Sequence, residues 1–239
     1  MSTFAIIGLV FLIIVSYFIG NISFAIIFSR SQKKDITKIG SGNPGTMNML
    51  RTFGVKFGVL TLVCDALKAS IPSLIGFLVF GQFGDVFGVI ALYSAGLAVV
   101  LGHMFPIVRK FKGGKGMASA LGVFIVADPL WTLIVFVIAF LYLYFFDYGA
   151  VASFIVLAVM ATMQAIFANS LGELAFVVQI LIFCLFALVF FAHRTNIKRM
   201  LIGKESKVNL KRSLKKLGMK KTLKEAYKDK KDEKKRDIG

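Results

Sequence analysis

Three long apolar runs, at about residues 4–28, 57–80 and 86–108, constrain the fold more than any other feature of this sequence. Each is long enough to cross the hydrocarbon core of a bilayer as a helix, which takes roughly 20 residues. The chain is 57% hydrophobic with a mean hydropathy of +0.80, which is too apolar for the surface of a soluble domain. The sequence also lacks the short alternating segments of outer-membrane barrels, so we predict an all-α integral membrane protein.

The positions of Lys and Arg predict which ends of these runs face the cytoplasm. Residues 29–56 are rich in both, whereas the break at 81–85 contains neither. By the positive-inside rule the first segment is cytoplasmic and the second is external, so the N-terminus is predicted to lie outside. The next cationic segment, 109–115, follows one further span and is therefore cytoplasmic again.

Residues 116–193 contain neither Lys nor Arg and are followed by a strongly basic segment. If that segment is also cytoplasmic, residues 116–193 must cross the membrane an even number of times. Polar breaks divide them into four candidate spans, at about 117–127, 130–146, 150–168 and 174–192. We therefore predict seven transmembrane helices in a single membrane domain, residues 1–203, whose short segment 117–127 either crosses or forms a buried half-helix.

The C-terminal segment 204–239, called the basic tail below, is predicted to be cytoplasmic. More than half of the formal net charge of +17 lies after residue 193. Beside a membrane, such charge favours a position close to anionic lipid headgroups. Contact with RNA or the ribosome is the alternative interpretation, and we expect no nucleic-acid partner. The two cysteines, Cys64 and Cys184, lie in apolar runs without metal-ligand spacing, so neither a metal nor a cofactor is predicted.

The first cytoplasmic loop is rich in Gly, Asn and Pro. It reads Gly40-Ser41-Gly42-Asn43-Pro44-Gly45 and continues to Asn48 and Arg51. This composition predicts a tight, irregular backbone whose exposed N–H groups can bind an anion. A simple turn that caps the following helix is the alternative.

The second cytoplasmic loop follows Gly102-His103 and contains Phe111-Lys112-Gly113-Gly114-Lys115-Gly116. Backbone N–H donors, a helix N-terminus and two lysines together predict a phosphate site. The residue after Lys115 is glycine rather than the Ser or Thr of a Walker A loop, so a nucleotide-binding P-loop is excluded. A positively charged membrane anchor would explain the lysines but not the neighbouring glycines.

The third polar segment begins where the last apolar run ends, with His193-Arg194-Thr195-Asn196, and continues to Glu205. His193 and Asn196 are three residues apart, so a continuing helix would put them on the same face. Inside the second apolar run, Asp65 and Lys68 have the same spacing, which predicts an ion pair with a structural role.

Together and in this order, the three polar segments resemble those of the bacterial acyl-phosphate:glycerol-3-phosphate acyltransferases, the PlsY family, over nearly the whole chain. The resemblance implies a seven-span protein of the bacterial plasma membrane with its active site facing the cytoplasm. It also implies transfer of an acyl group from acyl phosphate to glycerol 3-phosphate, which yields lysophosphatidic acid for phospholipid biosynthesis and releases phosphate. It implies further that neither coenzyme A nor acyl carrier protein is the direct donor, and we predict no cofactor.

The resemblance further implies the site residues. Ser41, His193 and Asn196 are expected to be catalytic. The residues expected to bind the substrates or their phosphate groups are Gly42, Asn43, Asn48, Arg51, His103, Lys112, Gly113, Gly114, Lys115, Gly116 and Glu205. Which of the two lysines contacts which phosphate is left open.

This chain departs from the family pattern after Tyr148, where a stretch that is usually rich in serine keeps only Ser153. A role of that stretch in substrate contact is therefore not expected to carry over. The main alternative function is a transporter of a phosphate-containing solute or lipid, because broken spans and cationic loops suit one. Transporter sites lie near the bilayer midplane, however, whereas the three polar segments are predicted to gather at one surface.

Overall fold

The computed structural model describes residues 2–219, and every regular element in that range is a helix. The α-helices are α1 (Thr3–Gly20), α2 (Phe24–Ser31), α3 (Thr46–Phe53), α4 (Val55–Gly81), α5 (Asp85–Met104), α6 (Met117–Ala127), α7 (Pro129–Phe146), α8 (Gly149–Phe167), α9 (Ala175–Ala192) and α10 (Arg194–Leu201). Short 3₁₀ helices at Ile36–Lys38, Ile107–Arg109 and Ala168–Leu174 lie in the connections, and residues 210–219 are also helical. The predicted all-α class is confirmed for the part of the chain that the structure describes.

Apolar helices long enough to cross a membrane occupy most of the described chain. Five stretches qualify by length and composition: Thr3–Ser31, Val55–Gly81, Asp85–Arg109, Pro129–Phe146 and Gly149–Ala192. The last contains both α8 and α9, which Gly172 separates with a non-helical backbone (φ 74°, ψ −144°). The 11-residue α6 is only about 17 Å long. The count of seven spans and the orientation of the two termini stay predictions.

The first apolar run, predicted as a single span, is divided between α1 and α2. Its break at residues 21–23 leaves backbone carbonyl groups without helical partners, which is costly in an apolar environment. The Lys68 ammonium on α4 satisfies them, with Nζ 2.6 Å from the carbonyl oxygen of Ile22 and 3.3 Å from that of Gly20. Lys68 also pairs with Asp65 at 2.8 Å, so the predicted ion pair is present and supports the broken helix.

Helix α5 lies at the centre of the helix packing and contacts α1, α4, α6 and α9. Small residues allow such helices to approach closely. Where α1 crosses α5, a Cβ on Gly102 would lie 2.0 Å from the carbonyl oxygen of Tyr17, and a Cβ on Gly20 would lie 2.2 Å from that of Val99. This close contact fixes the end of α5 from which the second loop departs.

The junction between α7 and α8 packs against α3 and against the residues that follow α10. A Cβ on Gly149 would lie 3.0 Å from Met47 Sδ and 3.2 Å from Val208 Cγ2. Val208 and Leu210 are both buried. The first residues of the basic tail are therefore packed onto the membrane domain, while residues 220–239 lie outside the described range.

Candidate active site

Asn48 on α3 shapes the first loop. Its buried side chain donates from Nδ2 to the carbonyl oxygens of Ile36 (3.2 Å) and Ile39 (2.9 Å), and its Oδ1 accepts the Ser41 N–H (3.1 Å). All of these partners belong to the loop and the turn before it. We therefore interpret Asn48, predicted as a binding residue, as a residue that holds the loop in shape.

The same loop contains three further predicted site residues, Ser41, Gly42 and Asn43. Ser41 is exposed, and the other two are half-buried. Gly42 has φ +70°, a left-handed conformation that glycine adopts without strain, and it donates its N–H to the Ile39 carbonyl oxygen at 3.1 Å. Within residues 2–219, no hydrogen bond or ion pair joins these three residues to the second loop or the third segment. Their roles in the reaction stay predictions.

His103, near the end of α5, contacts the glycines of the second loop. Its carbonyl oxygen accepts the Gly114 N–H at 3.0 Å, and a Cβ on Gly114 would lie 2.1 Å from His103 Nε2. Gly113 packs equally closely against the same carbonyl group. His103 Nδ1 lies 2.9 Å from Lys68 Nζ, and since an ammonium can only donate, Nδ1 accepts and Nε2 carries the proton. The buried imidazole thus connects the Asp65–Lys68 pair to the glycine loop.

Of the two lysines in the second loop, only Lys115 reaches the third segment. It is half-buried, and its Nζ donates to Asn196 Oδ1. Lys112 is exposed, and its ammonium makes no hydrogen bond or ion pair with the described residues. Gly116, with φ +82°, turns the chain directly after Lys115 into α6. We therefore interpret Lys115 as the phosphate-binding lysine of this loop.

His193 is buried at the end of α9. Its Nδ1 lies 2.8 Å from the carbonyl oxygen of Val189, so this nitrogen carries the proton and Nε2 is left as an acceptor. Burial, together with the Lys115 ammonium, lowers the pKa of His193 to about 4, against the opposite effects of the Val189 carbonyl group and Glu205. At neutral pH the imidazole is therefore uncharged and able to accept a hydrogen bond from a hydroxyl group.

Asn196 on α10 lies at the centre of a polar network, called the Asn196 network below. Its Oδ1 accepts from Lys115, and its Nδ2 donates to Glu205 Oε1 at 2.6 Å. The other Glu205 oxygen accepts from Arg199 Nε at 2.9 Å. Both carboxylate oxygens face protein donors, and a carboxylate repels phosphate. We therefore interpret Glu205, predicted to bind substrate, as the residue that orients Asn196 and Arg199.

Arg51 lies beside the same network. It lies in the last turn of α3, and its Nη2 donates to the carbonyl oxygen of Ser206 at 2.9 Å. Its buried Nε has no hydrogen-bond partner among the described residues. Burial lowers the pKa of the guanidinium, an effect that Glu205 opposes, but arginine stays charged. Arg51, Lys115 and Arg199 thus surround one carboxylate, and the excess of positive charge suits phosphate groups.

The neighbouring cations also act on Lys115. Burial and the Arg199 and Arg51 guanidiniums lower the pKa of Lys115 to about 8, while Glu205 opposes them. At pH 7 the ammonium is mainly protonated, and a bound phosphate would relieve its repulsion from the two arginines. Arg199 is a site residue that the sequence prediction missed. Its position three residues after Asn196, on the same helix face, is the signal that would have identified it.

The sequence model of the glycerol-3-phosphate acyltransferase family matches residues 10–203. This chain belongs to that family. The glycerol-3-phosphate acyltransferase of Thermoanaerobacter sp. (strain X514) is 38% identical over 205 residues, which cover 84% of this chain and 96% of the relative. The glycerol-3-phosphate acyltransferase of Aquifex aeolicus (strain VF5) is 36% identical over 195 residues, which cover 82% of this chain and 96% of the relative.

Two crystal structures of PlsY, an integral membrane glycerol 3-phosphate acyltransferase, are similar to this fold. The glycerol 3-phosphate form has a TM-score of 0.71 and 34% identity, and the match covers 84% of this chain and 95% of that chain. The lysophosphatidic acid form has a TM-score of 0.70 and 33% identity, with coverage of 87% and 98%. The family resemblance seen in the three polar segments is confirmed, and the chain is a multi-pass membrane acyltransferase. The transporter alternative is not retained.

Proposed function

We propose that this acyltransferase moves an acyl group from acyl phosphate to a hydroxyl group of glycerol 3-phosphate and thereby forms lysophosphatidic acid and inorganic phosphate. The observation that carries the proposal is the Asn196 network, which joins Lys115, Arg199 and Glu205 and has Arg51 beside it. It combines cations for two phosphate groups with the uncharged imidazole at the end of α9. Acyl phosphate as the donor rests on the resemblance of the three polar segments.

The reaction needs little acid–base chemistry because an acyl phosphate is already activated. The acceptor hydroxyl oxygen bonds to the acyl carbonyl carbon, and the bond from that carbon to the phosphate oxygen breaks. Lys115 neutralises the leaving phosphate, and Arg51 holds the phosphate of glycerol 3-phosphate. The hydroxyl proton passes either to His193 Nε2 or directly to the departing phosphate, and both routes release inorganic phosphate.

His193 and Asn196 orient the reacting groups in this mechanism. The uncharged His193 accepts a hydrogen bond from the attacking hydroxyl group through Nε2. The Asn196 amide has a second N–H besides the one that it donates to Glu205, and we assign this N–H to the developing oxyanion. Positioning of the reactants and stabilisation of the developing charge together provide the expected rate enhancement.

In this proposal the protein lies in the bacterial plasma membrane with seven spans, and its active site faces the cytoplasm. The proposal is supported by Arg51 of the first loop and Lys115 of the second loop, which both lie at the Asn196 network. Basic segments that meet at one membrane surface must be separated by an even number of crossings. Residues 208 and 210 contact Asp147, so the α7–α8 junction lies on the same side as the end of α9. Two crossings, by α8 and α9, connect these points.

The basic tail is proposed to lie near anionic lipid headgroups. Within the helical residues 210–219, four cationic residues are exposed: Lys211, Arg212, Lys215 and Lys216. The Lys211 ammonium also lies 5.0 Å from the centre of the Tyr144 ring at the end of α7. Exposed cations beside a membrane domain are attracted to anionic lipid by about 1 kcal/mol each. The remainder of the tail, residues 220–239, lies outside the described part of the chain.

A reconstituted assay tests the proposed function. Purified protein is incubated with palmitoyl phosphate and glycerol 3-phosphate, and inorganic phosphate and lysophosphatidic acid are both quantified. We expect equal amounts of the two products, and no product when palmitoyl coenzyme A replaces palmitoyl phosphate. Equal turnover with the coenzyme A ester would contradict the donor, and phosphate release without lysophosphatidic acid would contradict the acceptor.

A further inference from the structure

The chain turns back towards the α7–α8 junction after the third segment. Gly203, with φ +65°, lies at the turn. Residues 205–209 then have no regular structure, and a helix begins at Leu210. Residues 205–210 are called the strap below. The match to the family model ends at residue 203, so the strap lies beyond it.

The strap supplies two contacts that fix the active site. The Glu205 carboxylate holds the amide of Asn196 and the guanidinium of Arg199. The Ser206 carbonyl oxygen holds Nη2 of Arg51. Glu205 thus orients the Asn196 amide, which is assigned to the oxyanion. Ser206 orients Arg51, which is assigned to the phosphate of glycerol 3-phosphate.

Asp147, the residue after α7, is the anchor of the strap. Its backbone carbonyl oxygen accepts the Val208 N–H at 2.9 Å, and its side-chain Oδ1 accepts the Leu210 N–H at 2.8 Å. Asp147 has φ 66° and ψ 10°, a left-handed conformation that aspartate and asparagine tolerate better than most residues. Val208 and Leu210 are 1% and 3% exposed, so the anchored end of the strap is buried.

We infer that Asp147 is a positioning residue for the acyl transfer proposed above, acting through the strap on Arg51 and Asn196. Residues 205–209 form no helix or strand, so their order depends on contacts such as these. Without the Asp147 side chain, the strap keeps the backbone contact at Val208 and the apolar packing of Val208 and Leu210, but the buried Leu210 N–H loses its acceptor. Glu205 and Ser206 are then held less firmly, and the two site residues that they contact lose their fixed positions. The inference rests on the proposed function for its kinetic consequences only.

Substitutions at Asp147 separate the carboxylate contact from the backbone conformation. Asp147→Ala removes Oδ1, and Asp147→Gly removes it at a residue type that tolerates φ 66° without strain. Asp147→Asn keeps an acceptor oxygen and is the rescue variant. Asp128→Ala is the matched control because Asp128 caps the opposite end of α7, where Oδ1 accepts the Trp131 N–H at 3.1 Å. It removes the same kind of contact about 27 Å away along the helix.

The experiment measures steady-state kinetics, thermal unfolding in detergent, and glycerol 3-phosphate binding by thermal shift. For Asp147→Ala and Asp147→Gly we expect KM and the apparent Kd for glycerol 3-phosphate to rise roughly tenfold, the effect of one lost hydrogen bond. KM for palmitoyl phosphate should change less than KM for glycerol 3-phosphate, because Lys115 reaches the strap only indirectly, through the Asn196 amide. Asp147→Asn should behave like the wild type, and Asp128→Ala should lower the unfolding temperature without changing KM.

A purely structural role predicts a different pattern. If the Asp147 variants lose thermal stability but keep the wild-type KM and Kd for glycerol 3-phosphate, or if Asp147→Asn is as impaired as Asp147→Gly, the inference is overturned. Binding of glycerol 3-phosphate does not need an acyl donor. A wild-type protein that binds glycerol 3-phosphate but does not turn over palmitoyl phosphate would therefore contradict the proposed donor. The Kd values of the Asp147 variants would still test the positioning role.

Discussion

Replacing Glu205 by glutamine tests the Asn196 network with little change in shape. The Glu205 side chain is 3% exposed and accepts hydrogen bonds from Asn196 Nδ2 and Arg199 Nε. Glutamine offers one oxygen and one NH₂ group, so it satisfies one of these donors and turns an NH₂ group towards the other. It also leaves Arg51, Lys115 and Arg199 without the carboxylate that opposes their charge.

The size of the effect follows from the contact that is lost. One hydrogen bond to a charged group contributes about 2 kcal/mol, which corresponds to roughly 30-fold in kcat/KM. Arg199 is 37% exposed, so water replaces part of its contact, and the effect stays below the ~3–5 kcal/mol of a fully buried ion pair. Glu205 also raises the pKa of Lys115, so its loss moves that pKa below about 8. Since the protonated ammonium binds phosphate, the alkaline limb of the activity profile should shift to lower pH.

The assay is kcat/KM for palmitoyl phosphate between about pH 6 and pH 9 for the wild type and Glu205→Gln. Glu173→Gln is the control because Glu173 is an exposed carboxylate in the α8–α9 connection, outside the network. We expect a decrease of roughly 30-fold at pH 7 and an alkaline limb displaced to lower pH for Glu205→Gln only. A Glu205→Gln protein with the wild-type kcat/KM and the same alkaline limb would refute the interpretation of the network.

Three further predictions concern single side chains. Lys115→Met should lower kcat/KM for palmitoyl phosphate at least about tenfold, whereas Lys112→Met should change it less than about twofold, because only Lys115 reaches the network. His193 has a pKa lowered to about 4, so steady-state kinetics should show no loss of activity from imidazole protonation until the pH falls towards that value. Asn48→Ala should lower the free energy of unfolding in detergent by about 1–3 kcal/mol, because two loop carbonyl groups lose their donor.

Each of these predictions has a contrary outcome. Equal losses for the two lysine variants would mean that the second loop rearranges when substrate binds. An acidic limb near the ordinary histidine pKa that disappears in His193→Gln would show that His193 is not held in its buried, uncharged form. Wild-type stability of Asn48→Ala would show that the first loop keeps its shape without the amide.

The helices and their interruptions could be predicted because they depend on local composition. Apolar length predicts the long helices, and the polar breaks at 147–149 and 169–173 appear as the α7–α8 junction and the 3₁₀ segment that contains Gly172. The spacing of Asp65 and Lys68 likewise predicts their ion pair, because residues three apart meet on one helix face. The division of the first apolar run was not predicted, since its carbonyl partner is an ammonium on a different helix.

The organisation of the site could be predicted only in part, because its decisive contacts join distant residues. Arg51 and Ser206 are 155 positions apart, and Asp147 and Leu210 are 63 apart. Nothing in the local sequence of 204–210 distinguishes a docked strap from a solvated charged tail. For the same reason, the sequence alone could not distinguish the two lysines of the second loop, since only the fold brings one of them to Asn196.

The order of synthesis provides the Lys68 ammonium with partners before it enters the bilayer. The carbonyl groups of Gly20 and Ile22 precede Lys68 by 48 and 46 residues. At an elongation rate of roughly 5–20 residues per second, they leave the ribosome about 2–10 s ahead of it. Helix α4 therefore meets oxygen ligands for its buried charge during insertion, whereas His103, 35 residues later, joins them afterwards. A nascent chain that ends after α4 should insert stably, and one that lacks α1 and α2 should insert less well, because the Lys68 ammonium then has Asp65 but not the two carbonyl groups as partners in lipid.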